Sequence, residues 1–225
     1  MIFQNGWFPV GVVMAAWPVL LVIFALCAKQ AWVSVSQHRS AFLVAAVMLP
    51  LAWSLNASPE SGQLAGMSYH LLALNLTALM LGTSAAFCIG VLLFFPYLWL
   101  WGDWHMFPIN ALSVLLPPLL VNLGFRHWVS RLPANIFIFI FLNGFWAAAV
   151  GMVFTGVVLV GLLDWADVFD TAVLWKTAFP VFFLIAWAEA FLSGISTAIF
   201  IALKPQWICT FDDGRYLKSA PKIWQ

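Results

Sequence analysis

The chain has 225 residues, of which 64% are hydrophobic and only 8% charged, with nine Lys and Arg against eight Asp and Glu. Soluble domains carry about 25% charged residues, so this composition excludes a soluble globular domain and points to a chain built for lipid. A net charge of +1 leaves no electrostatic footprint for nucleic acid, and no such partner is expected.

The first stretch, MIFQNGWFPV, has no Lys or Arg ahead of its apolar run, whereas a secretory signal begins with a basic region. It is therefore read as retained, with residues 1–8 forming an N-terminal plug and the Met1 amine a part of the folded protein. Seven apolar runs follow at about 8–28, 41–55, 70–82, 85–101, 109–124, 134–163 and 175–203. The spacing predicts an all-α polytopic membrane protein of about seven transmembrane helices, a single domain over 1–225, with 204–225 as a polar tail. The third run is the shortest, and its His70 is expected in the first turn of a helix. The sixth and seventh exceed the roughly 20 residues that cross a bilayer, so they should tilt or overrun it.

An odd number of crossings puts the termini on opposite sides. With the N-terminus outside, Lys29, Arg39, Arg126, Arg131, Lys204, Arg215, Lys218 and Lys222 all face inward and only Lys176 faces out. The acids Glu60, Asp103, Asp164, Asp167 and Asp170 fall outside. The positive-inside rule thus places the C-terminus in the cytoplasm.

This topology sorts the four histidines. His38 and His127 lie in basic inner loops and read as solvated or headgroup-facing residues. His70 and His105 fall at outer helix ends, on the side of the Met1 amine, Asp103 and Asn110. Imidazole and a deprotonated amine are borderline nitrogen donors that suit nickel, cobalt, copper or zinc. No HxxxH, CxxC or HExxH motif reinforces the set, and a helix-end histidine bonded to a loop is the competing structural reading. Asn75, Asn110 and Asn143 lie in or at the start of apolar runs and need partners. Glu189 is the one carboxyl group well inside such a run, suited to coupling or to helix packing. Cys27, Cys88 and Cys209 have no metal spacing. No P-loop is present, so the chain is not expected to hydrolyse ATP itself, and no pair of histidines or Ser–His arrangement at one depth supports a haem protein or protease.

Four stretches resemble the metal-binding, substrate-capture membrane component of cobalt and nickel energy-coupling-factor transporters, the CbiM/NikM family. They are MIFQNGWFP at the start, Met67 to Gly82, the Gly102-Asp103 loop leading to Asn110, and Glu189 with the Ser and Thr after it. The resemblance implies a component of an ABC importer in the bacterial inner membrane, working with a transmembrane coupling subunit and two cytoplasmic ATPases. It implies metal binding by the Met1 nitrogen, by residue two and by His70, with Asn5, Asp103 and Asn110 in support. Residue two is Ile2 where the family has histidine, so only its backbone nitrogen remains and His105 is expected to replace the missing imidazole. The cargo is expected to be nickel or cobalt, with copper or zinc possible, and no bound organic cofactor. The alternatives are the same scaffold carrying an organic cofactor or vitamin, and a structural membrane subunit.

Overall fold

The computed structural model describes residues 2–57, 69–101 and 104–216. The helices are α1 (Val10–Gln37), α2 (Arg39–Ser54), α3 (Leu74–Leu81), α4 (Thr83–Trp101) and α5 (Phe107–Val129). Then come α6 (Ile136–Trp165), α7 (Thr171–Leu203) and the short α8 (Asp213–Tyr216). Each apolar run of the sequence thus becomes a helix. Five of them are long and apolar enough to span a membrane, whereas α2 has 16 residues and α3 only eight.

α3 is the centre of the bundle. All eight of its residues are buried, and it touches every other long helix. At 1.5 Å per residue it covers about 12 Å, less than half of the roughly 30 Å hydrocarbon core. Around it, α5, α6 and α7 pack in series on one side while α1 and α4 pair on the other.

The helix expected to begin at His70 begins instead at Leu74. Tyr69 and His70 form a strand, β2, antiparallel to β1 (Asn56–Ala57), with His70 opposite Asn56 and Tyr69 opposite Ala57. The physical reason is Ala73, whose left-handed backbone (φ 55°) breaks helical continuity just ahead of Leu74. At the other end, Gly82 alone joins α3 to α4, at φ +84°. That conformation suits glycine because it has no Cβ.

Two long helices contain π-helical stretches, Phe139–Trp146 in α6 and Leu174–Ala178 in α7. Where α6 and α7 meet, Gly156 leaves no room to spare: a Cβ there would stand 2.4 Å from Phe182 Cγ. Gly156→Ala is expected to destabilise the protein by about 1–3 kcal/mol. In thermal unfolding, the double variant with Phe182→Leu should lose less than the sum of the two single changes.

Candidate functional site

The segment Tyr69–Ala73 is held from four directions. The β1 backbone pairs with it. The Trp53 indole donates to the Leu72 carbonyl at 3.1 Å, and the Tyr69 hydroxyl donates to the Ala178 carbonyl at 3.2 Å. Glu189 of α7 accepts the fourth set: the Leu72 amide donates to Oε1, and the Ala73 amide donates to Oε1 at 2.9 Å and Oε2 at 3.2 Å. These amides sit at the start of α3, where N–H groups have no intrahelical acceptor and a carboxyl group is favoured.

His70 is thereby presented with a defined tautomer. Its Nδ1 lies 2.9 Å from the Leu71 carbonyl; a carbonyl only accepts, so Nδ1 carries the proton. The ring packs edge-on against Tyr97 with centroids 5.7 Å apart. The side chain is 2% exposed, and Nε2 has no hydrogen-bond partner among the described residues. A neutral imidazole tied back through Nδ1, with a buried lone pair on Nε2, is the usual disposition of a metal-ligating histidine.

The N-terminal segment is drawn into the same end of the bundle. The Phe3 amide donates to Asn110 Oδ1 at 2.7 Å, and Asn110 Nδ2 donates back to the Phe3 carbonyl at 3.1 Å. Asn110 stands in the first turn of α5 and is fully buried. Phe3 packs edge-on against Phe8, and Trp7 against Phe169. Ile2, Phe3 and Phe8 are buried, so this segment folds inward onto the bundle.

Beneath this lies a node of amides. Asn75 Nδ2 reaches the Asn143 carbonyl (2.9 Å), the Gly144 carbonyl (3.2 Å) and Ser193 Oγ (2.8 Å). Asn122 Nδ2 donates to Asn75 Oδ1 at 2.7 Å. The two main-chain carbonyls lie within the π stretch of α6, where the i→i−4 ladder is interrupted.

A family model for CbiM, the cobalt uptake substrate-specific transmembrane region, matches residues 3–207. The chain belongs to the CbiM family. Membership makes it a membrane component of a metal uptake system. It is similar to two crystal structures described as transition metal transporters. One, a truncated form, has a TM-score of 0.76 at 15% identity and covers 91% of this chain and 99% of its own. The other has a TM-score of 0.78 at 14% identity and covers 90% and 93%. Identities this low show a shared fold. No curated protein gives a significant match.

The CbiM-family fold distributes the predicted site residues unevenly. Ile2, His70, Asn110 and Glu189 are buried, and each of the last three has a defined bonding role. His105 instead sits exposed on a short 3-10 turn (Trp104–Met106), its ring 4.0 Å from that of Trp104. Asn5 is exposed too. Met1 and Asp103 lie outside the described residues. Among the described residues, no group of three or more His, Cys, Asp or Glu side chains converges as a metal cluster. Sequence reasoning missed Asn122, although an amide inside an apolar run was signal enough, and it missed Trp53 and Tyr97 as the supports of the His70 segment.

Glu189→Leu leaves two buried amides without acceptors and should cost about 2 kcal/mol or more. Glu189→Gln keeps one acceptor oxygen and should cost less. Thermal unfolding of the two variants in detergent measures the difference.

Proposed function

We propose that the chain is the substrate-capture subunit of an energy-coupling-factor importer, taking a transition-metal ion from the extracytoplasmic side. The observation that carries this reading is the His70 imidazole, pinned through Nδ1 with Nε2 buried and unpaired. The docking of Phe3 on Asn110 supports it, because that contact commits residues 2 and 3 to the bundle interior. In this reading the Met1 amine, the Ile2 backbone nitrogen and His70 Nε2 are the donors. Asn110 positions the plug and Glu189 positions the His70 segment. Asp103 and Asn5 belong to the approach. His105, five residues before Asn110 and exposed, meets the arriving ion or completes the donor set.

Three nitrogen donors suit nickel, cobalt or copper(II). Ile2 contributes no side-chain donor, so a site lacking one imidazole should hold its metal less tightly than one with two. Transport is driven by two cytoplasmic ATPases through a transmembrane coupling subunit, in a bacterial inner membrane oriented as the basic residues indicate. The proposed nitrogen donors favour a metal over an organic cargo.

Metal content by mass spectrometry tests this assignment. Wild-type protein purified with nickel or cobalt should carry close to one equivalent. His70→Ala and a form extended ahead of Met1 should each retain at least about tenfold less. A loss of the same size in His105→Ala would make His105 a ligand; retention would make it an outer residue. Equal loading of all four proteins would end the proposal.

A further inference from the structure

At the end of the bundle away from His70, a cavity of about 880 Å³ opens between α1, α4, α5 and the C-terminal segment. Its rim holds Arg126, His127, His38 and Arg215, with Asp212 as its one acidic residue among the described residues. Its deep wall is mainly apolar, formed by Ile23, Phe87, Leu116, Leu119 and Leu120 with the buried Asn143 beside them. From Leu116 to Arg126 the helix rises about 15 Å, half of the roughly 30 Å hydrocarbon core. The cavity is therefore cationic at one membrane surface and greasy to the depth of one leaflet.

Arg126 is half-buried, and its one side-chain hydrogen bond among the described residues is a long one to Thr83 Oγ1, at 3.4 Å. No carboxylate pairs with it among the described residues. Arg215 is committed elsewhere: it donates to the Ser130 carbonyl at 2.7 Å and lies over the Tyr216 ring. Arg131 is turned to His127 at 2.7 Å. Nor does the nearby thiol serve as counter-ion, because burial raises Cys209 above its usual range despite the opposing pull of Arg126. A partly desolvated guanidinium with no anion is unfavourable, and its planar fork matches phosphate oxygens in two places at once.

We propose that this cavity seats an anionic phospholipid, with its phosphate on Arg126 and an acyl chain along Ile23, Phe87, Leu116 and Leu120. The apolar depth selects the lipid over a free phosphate of the same chemistry. The bound lipid also bears on α3. Leu81, Gly82 and Thr83 line the cavity, as do Cys209 and Thr210. The Cys209 amide donates to the Met80 carbonyl at 3.1 Å, and the Thr210 hydroxyl donates to the Leu79 carbonyl at 2.8 Å. A lipid here clamps the tail onto the end of α3, so leaflet composition sets how firmly the central helix is held.

The full chain is tested by native mass spectrometry after reconstitution in phosphatidylcholine alone or mixed with phosphatidylglycerol. Wild type should retain phosphatidylglycerol preferentially and unfold at a higher temperature with it. Arg126→Gln should weaken that retention about fivefold, the effect of one basic side chain at a charged surface. Leu120→Trp, which fills the apolar wall and leaves the cation in place, should also weaken it, and this variant decides the matter if Arg126→Gln does not fold. Equal retention of the two lipids, or an unchanged preference in both variants, overturns the proposal. Stabilisation by inorganic phosphate equal to that by phosphatidylglycerol overturns the lipid assignment in favour of a soluble anion.

Discussion

The carboxyl group of Glu189 closing on the Leu72 and Ala73 amides is the contact on which this bundle depends. Lipid offers no hydrogen bonds, so non-helical backbone at membrane depth is tolerated only where protein satisfies it. Residues 69–73 are such a stretch. Their amides and carbonyls find Glu189, Trp53 and the β1 backbone, and only with those partners can the chain leave β2, pass through the left-handed Ala73 and enter α3. A helix of eight residues has little stability of its own. Here it is imposed from outside, at its start by α7 and at its end by Ser34, Cys209 and Thr210.

These bonds hold the His70 segment in one backbone conformation. Three elements, β1, α2 through Trp53 and α7 through Ala178 and Glu189, fix the backbone on either side of the imidazole, and the Leu71 carbonyl fixes its tautomer. The Asn110 pair does the same for the N-terminal segment, since one amide side chain satisfies both the N–H and the carbonyl of Phe3. Both segments are thus held by one rule: a buried side chain holds irregular backbone in place.

Much of this was legible in the residues. The apolar runs marked every long helix to within a few positions, apart from the far end of α1, which continues past the basic Lys29 to Gln37. Asn110 and Glu189 stood out because a polar group in an apolar run must have a partner, although nothing local names that partner. The ribbon at His70 was not legible: SYHLLALNL reads as a continuous apolar helix, and its break lies at an alanine, a residue that ordinarily favours helix. Asn56 lies outside the apolar pattern and paired with His70 only in three dimensions. The separation of His105 from the buried His70 was hidden for a related reason. Topology assigns a side of the membrane, and depth within the protein is decided by packing.

The π stretch in α6 has a consequence for how this chain can vary. A π turn holds one residue more than an α turn, so Phe139–Trp146 stores a surplus position inside an otherwise regular helix. Deleting one residue there would leave a continuous α-helix of nearly the same length, still able to cross the bilayer. It would also close the hydrogen-bond ladder over the carbonyls of Asn143 and Gly144 and turn the preceding residues by about 100°. The loss would fall on Asn75, whose amide would keep Ser193 Oγ as its acceptor but lose both carbonyls of α6.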